Sequence, residues 1–316
     1  MTPLQIPAPP SSGISLGGFT LHYYALCVLA GIIVAVLMGR TRFVRRGGSP
    51  DRFDSAAFII VITGIIGARA YHVITDHQLY FGPGRDPWQA LNIRAGGLGI
   101  WGGVMVGALA SWLICRRHKL DFGSFADTLA PGLFFAQAIG RLGNWFNQEL
   151  FGRPTDLPWG LYVDSAHRPD GYREFETFHP TFAYEMITNT IGGILLLWAE
   201  RRFKLGRGKL FSCYIIWYTL CRFFIEMVRI DPANEIGGWR INNYVSLICF
   251  VGAVILLIWQ LRKRPGVMWW PFGFPDGGAG LSPARSRVPS DDTSPVELTD
   301  SDASDMAGPE THPDDR

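Results

Sequence analysis

Seven apolar blocks of close to twenty residues each limit this chain to one architecture. They span about 21–39, 56–75, 97–115, 125–146, 181–199, 209–228 and 243–261. A helix of about twenty residues crosses a hydrocarbon layer of about 30 Å. Inside lipid the backbone must hydrogen-bond to itself, which leaves helices and closed barrels. The short alternating segments of a barrel are absent from this sequence. The expected fold is therefore all-α, a polytopic membrane protein with seven transmembrane helices.

Lysine and arginine set the expected orientation. The first, third and fifth loops and the segment after the last block hold sixteen of them, from Arg40 to Arg264. The intervening loops hold seven, and the stretch Met1 to Thr20 holds none. The positive-inside rule then places the N-terminus outside and the C-terminus in the cytoplasm. Seven crossings demand the same arrangement. The first twenty residues lack the basic start and apolar centre of a cleaved signal peptide. They are expected to be a short segment on the translocated side.

Two other stretches are set apart by composition. The loop from Asn147 to His179 is long and carries Pro154, Pro158, Trp159 and Pro169. Its length predicts a small extracytoplasmic cap between helices 4 and 5. From Pro271 the chain turns to Gly, Pro, Ser and Asp, with ten acidic residues between Asp276 and Asp315. Such a composition cannot bury enough apolar surface to order itself. A membrane domain over 1–270 and a disordered acidic cytoplasmic tail over 271–316 are expected. Cys27, Cys115, Cys213, Cys221 and Cys249 lie in or beside apolar runs without Cys-x-x-Cys spacing, and read as buried free thiols.

The chemistry is expected where charge enters the membrane, because an ionisable residue there costs about 2.5–3.5 kcal/mol on insertion scales. Arg69, Arg141 and Arg222 fall inside blocks. Arg69 is equally consistent with a side chain reaching an interface. Arg222, Glu226 and Arg229 are spaced to share a helical face, as are Arg141, Asn144 and Gln148. Both groups belong at the outer ends of helices that run outward. Two cations against Glu226 leave an apparent surplus, which points to an anion, and guanidinium groups fit phosphate. The glycines at 96, 97, 99, 102 and 103, with Gly140 and Gly143, are read as leaving a slot for a lipid phosphate. Nothing points to nucleic acid, and no metal-ligand cluster is visible. A lipid transporter or flippase is the alternative reading, although no internal repeat supports it.

The stretch Gly140-Arg-Leu-Gly-Asn-Trp-Phe-Asn-Gln-Glu-Leu-Phe-Gly152 resembles the signature of the phosphatidylglycerol–prolipoprotein diacylglyceryl transferase family. Leu21-His-Tyr-Tyr24, Gly67-Ala-Arg69, His179-Pro-Thr-Phe-Ala-Tyr-Glu185 and Arg222…Glu226…Arg229 resemble further motifs in the same order, over about residues 14–265. The resemblance implies a bacterial inner-membrane enzyme without cofactor. It would move diacylglycerol from phosphatidylglycerol to the lipobox cysteine at the signal peptide of a prolipoprotein. On that reading Arg141 and Arg222 stabilise developing phosphate charge, and Asn144, Asn147 and Gly152 belong to the substrate site. Glu226 holds Arg222 or Arg229. The proton acceptor is sought among His22, Tyr24, Glu149 and His179. One departure stands out: the family often carries His where this sequence has Trp101, and indole cannot accept a proton.

Overall fold

The computed structural model describes residues 4–17, 19–93 and 96–264; the expected tail lies outside them. Seven long helices carry the fold: α1 Tyr23–Arg45, α2 Pro50–Thr75, α3 Ile100–Arg117, α4 Phe122–Phe146, α5 Thr181–Phe203, α6 Lys209–Glu226 and α7 Ile241–Lys263. Each apolar block became one helix, but several helices outrun their blocks. Hydropathy marks where lipid begins, whereas caps and turns mark where a helix ends. Helix α2 begins six residues early because Pro50 suits the first turn and Asp51 complements the helix dipole. Helix α3 starts only at Ile100, since Gly96 and Gly97 take φ of 83° and 74° and cannot be helical. Asp121 caps α4 by accepting from the Ser124 amide at 2.8 Å.

Polarity is inverted relative to a soluble core. Phe58 is 69% exposed and Ile248 is 70% exposed, while Glu226 is 0% exposed. Water would not tolerate so much apolar surface, and lipid does. Four helices (α1, α2, α5 and α7) are long and apolar enough to cross a membrane by themselves. The protein is a mostly helical membrane protein.

Helix α4 is the centre of the packing, with α1 and α5 against it and α6 touching both α4 and α5. Helix α7 lies on α6, and α2 pairs with α3. The glycines of α3 do not open a slot. A Cβ on Gly102 would sit 2.2 Å from the Gly67 carbonyl oxygen, so Gly102 and Gly67 let α2 and α3 touch through their backbones. Arg69 is likewise structural. It donates to the carbonyls of Gln89, Ala90, Gly96 and Gly97 at 2.6–2.9 Å, clamping the α2–α3 connection.

Among the described residues, three two-stranded antiparallel sheets complete the fold. Strands β1 Gly13–Leu16 and β2 Phe19–His22 precede α1. Strands β3 Leu161–Tyr162 and β4 Thr177–Phe178 form the expected cap between α4 and α5. Its core is Phe151, Leu161, Val163, Phe178 and Phe182. The N-terminal segment joins that cap, with the Ile6 amide bonded to the Gly160 carbonyl at 3.0 Å. Strands β5 Glu235–Ile236 and β6 Trp239–Arg240 turn through Gly237 and Gly238, both at positive φ as a tight hairpin requires. The five cysteines are free thiols, but only Cys115 is buried; Cys27, Cys213 and Cys221 are half-buried and Cys249 is exposed, because apolar blocks turn part of their surface outward to lipid.

Candidate functional site

Where α4, α5 and α6 meet near the cap, the chain buries a network of charge. Glu185, one turn into α5 and 4% exposed, is its hub. Its Oε2 pairs with Arg141 Nε of α4 at 2.6 Å, and its Oε1 accepts from Arg222 Nη1 of α6 at 2.7 Å. Arg229 Nη1 stands 3.9 Å from the same Oε1. One turn beyond Arg222, Glu226 pairs through Oε2 with Arg222 Nη2 at 2.5 Å. Its Oε1 pairs with Arg240 Nε at 3.0 Å and accepts from the Asn242 amide at 2.9 Å. Asp231 closes the network, bonded to Arg229 Nε at 2.7 Å and Arg240 Nη2 at 2.9 Å. Burial opposes its ionisation, but those two guanidinium groups outweigh burial and hold its carboxyl below the usual carboxylate range.

This geometry corrects the charge count. Four guanidinium groups meet three carboxylates, so Arg141 and Arg222 do not face Glu226 alone. In the sequence Glu185 stands at the end of the His179–Glu185 motif. Its signal was available, since a carboxylate inside an apolar block is as costly as an arginine there. Arg240 and Asp231 carried no such signal; Asp231 lies in the loop after α6 and Arg240 at the end of β6, and both reach the network only through the α6–α7 connection. What remains distinctive of Arg141 is directional. Its Nε is on Glu185 and its Nη1 donates to Asn144 Oδ1 at 3.0 Å. Among the described residues its Nη2 has no partner.

The signature stretch divides into two parts. Asn144 and Asn147 both turn their amides onto Glu149 Oε1, at 2.9 and 3.2 Å. Glu149 itself is exposed, and its second oxygen is open among the described residues. Tyr24 packs over this part, because the absent side chain of Gly143 leaves room for its ring; a Cβ there would lie 2.6 Å from Tyr24 Cδ2. Gln148 does not continue the Arg141 face as expected. Helix α4 has ended, and Gln148 takes a φ of 49°, then binds Asp164 of the cap through both ends of its amide at 2.6 and 2.9 Å. Arg229 also lies past the end of its helix, and its segment bridges to Gly152.

Gly152 sits where backbone must approach backbone. Its amide donates to the His179 carbonyl at 2.9 Å, and a Cβ would meet His179 Cβ at 2.8 Å and Val228 Cγ1 at 2.9 Å. His179 pairs through Nδ1 with the Tyr184 hydroxyl at 3.0 Å. Partial burial, and then the Arg153 charge, hold it below its ordinary pKa, so it is neutral near pH 7. Trp101 stands half-exposed in the first turn of α3. That helix packs along α2 and meets α4 through Cys115 and Phe125 near the far end of the bundle.

Residues 12–259 match the family model described as prolipoprotein diacylglyceryl transferase. A phosphatidylglycerol–prolipoprotein diacylglyceryl transferase of Cutibacterium acnes is 55% identical over 263 residues, covering 83% of this chain and 88% of that one. The Corynebacterium efficiens protein of the same name is 48% identical over 270 residues, 82% of this chain and 83% of its own. Phosphatidylglycerol–prolipoprotein diacylglyceryl transferase 2 of Streptomyces coelicolor is 46% identical over 262 residues, 83% of each chain.

Proposed function

The chain belongs to the prolipoprotein diacylglyceryl transferase family, and from that premise we propose how its buried arginines perform the reaction. The enzyme transfers the diacylglyceryl group of phosphatidylglycerol to the thiol of a prolipoprotein's lipobox cysteine. This is the first step of lipoprotein maturation. Family membership also sets aside the transporter reading.

Its seven helices cross the bacterial cytoplasmic membrane with the N-terminus outside and the C-terminus inside. The alternation of basic loops and the odd number of helices support that orientation. The cap end then faces outward, where lipid headgroups and emerging signal peptides meet.

The nucleophile comes from the substrate. A free thiol has a pKa of about 8.5, and nearby cations raise its thiolate fraction. Sulfur bonds to the glyceryl carbon that carries the phosphate. The carbon–oxygen bond breaks with its electron pair on oxygen, and glycerol phosphate leaves. A singly charged phosphodiester thereby becomes a monoester with a second negative charge. Arg141, through its open Nη2, and Arg222 stabilise that charge in a site of low dielectric. Glu185 is a positioning residue that holds both. Glu226 fixes Arg222 from its other side and Arg240 behind it, and Arg229 completes the cationic wall. Asn144 and Asn147 orient Glu149, whose open oxygen takes the thiol proton. Tyr24 offers its hydroxyl to the headgroup beside them. His179, neutral and bonded to Tyr184, is the second candidate acceptor. Gly152 contributes backbone alone, keeping the cap seated over the arginines.

One observation carries this reading: two guanidinium groups from different helices held at 2.6 and 2.7 Å on one buried carboxylate. The test is mass spectrometry of a lipobox peptide incubated with enzyme and phosphatidylglycerol. The parent yields a thioether-linked diacylglyceryl adduct. Arg141→Ala should insert in the membrane and yield none; full activity in that variant would remove arginine 141 from the phosphate role.

A further inference from the structure

A second basic site lies at the other end of the bundle. Arg42 Nε bonds to the Thr128 carbonyl of α4 at 3.0 Å, thirteen residues and so about 20 Å of helix from Arg141. Here α1 and α5, both packed on α4, leave a cavity of about 450 Å³ between them. Leu37, Met38 and Leu197 form its apolar wall.

Its rim is strongly cationic. Glu200 of α5 spans the notch and accepts both Nη groups of Arg42 at 2.6 and 2.9 Å, together with Arg46 Nη2. Those two arginines are further anchored on α4 carbonyls: Arg42 on Asp127 and Thr128, and Arg46 on Ser124. The neighbouring Asp127 carboxylate points elsewhere, accepting the amides of Gly208 and Phe211 at 2.8 Å each. Asp54 is occupied by Arg40. Arg45 and Arg201 also line the cavity, are exposed, and have no ion pair or hydrogen bond among the described residues. Four guanidinium groups thus surround one carboxylate, which pairs with Arg42 and Arg46 and leaves Arg45 and Arg201 without an ion pair among the described residues, beside an apolar wall.

We propose that this cavity binds an anionic phospholipid of the cytoplasmic leaflet. Its phosphate bridges Arg45 and Arg201, and its first methylenes lie on Leu37, Met38 and Leu197. The leaflet assignment rests on the orientation given above. Guanidinium pairs match phosphate geometry. The volume suits a headgroup with the start of its chains. Basic pockets between helices on the cytoplasmic side suit anionic headgroups. Glu200 keeps Arg42 and Arg46 in place, so the site is preorganised before lipid arrives. The site stands apart from the transfer chemistry and would retain lipid that is not consumed.

The test titrates full-length, delipidated protein with phosphatidylglycerol, phosphatidylcholine or inorganic phosphate, counting bound molecules by native mass spectrometry. The parent should hold two anionic lipids. The double variant Arg45→Gln/Arg201→Gln should bind one of them about tenfold more weakly, with unchanged peptide transfer. Arg45→Lys/Arg201→Lys should retain most of the binding, which separates charge from folding. Arg141→Ala should lose the other lipid instead, so failure of the active-site reading shows separately. Parent-like lipid binding in the Gln variant overturns the proposal. So does filling of the site by inorganic phosphate as readily as by lipid, or by phosphatidylcholine as readily as by phosphatidylglycerol.

Discussion

Glu185→Gln is the perturbation most directly tied to the network. Glutamine keeps the shape and one acceptor oxygen but removes the charge that three arginines share. Arg141 would then face no carboxylate within the network, and Arg222 only Glu226. Removing one partner of a buried ion pair costs about 3–5 kcal/mol, because the other charge stays buried and uncompensated. Arg141 retains 23% side-chain exposure and can recover some water, so the lower end of about 3 kcal/mol is expected. At about 2–4 °C per kcal/mol for a protein near this size, the melting temperature should fall by roughly 6–12 °C. Thermal unfolding in detergent, followed by tryptophan fluorescence, reads this directly. Transfer should fall at least about tenfold in kcat, as about 1.4 kcal/mol of lost transition-state stabilisation requires. The double variant with Arg222→Met should be less destabilised than the two single losses predict, with a coupling of about 0.5–3 kcal/mol. A parent-like melting temperature in Glu185→Gln, or strict additivity in the cycle, would refute the bridge.

Three further outcomes follow from the same geometry. His179 is held below its ordinary pKa, so its neutral form is favoured by the fold; that contribution is present above the unfolded value near 6.5 and is lost as pH falls through the folded one. His179→Gln should therefore flatten any acid limb of the transfer rate measured against pH, and an unchanged profile would remove it as an acceptor. Trp101→His should leave the rate at neutral pH unchanged, because α3 packs along α2 and reaches α4 near the far end of the bundle; a strong rise, measured by adduct formation, would show that a base was missing there. Gly102→Ala should destabilise by about 1–3 kcal/mol, as overpacking does, since its Cβ would strike the Gly67 backbone at 2.2 Å; a parent-like thermal melt would contradict the direct contact of α2 and α3.

Much of the site was legible in one dimension, and particular residues show where legibility stopped. Arg141 and Arg222 stood out because charge is costly in an apolar block. Glu226 and Arg229 followed from spacing, although Arg229 sits beyond the helix and reaches Glu226 only at 4.0 Å. Gln148 obeyed the same spacing and still turned away, because α4 had ended and positive φ at Gln148 and Leu150 sent the chain into the cap. Arg69 looked as conspicuous as Arg141, yet among the described residues its hydrogen bonds all go to the carbonyls of one loop. Spacing states which face a residue occupies while the helix lasts. It does not state where the helix stops or what waits opposite.

The sequence by itself determined seven helices, their alternation of basic ends, the existence of the cap and the placement of Arg141 and Arg222 inside apolar blocks. These rest on local costs: lipid tolerates neither open backbone nor stray charge, and each block pays no attention to the others in meeting that demand. Only the tertiary structure decided that Glu185 of α5 would join Arg141 of α4 to Arg222 of α6, and that Arg240 would arrive from the next hairpin. It also decided that Glu200 would tie α1 to α5 at the opposite end. Those pairings depend on which helix ends come together, and a buried charge is indifferent to how far along the chain its partner lies.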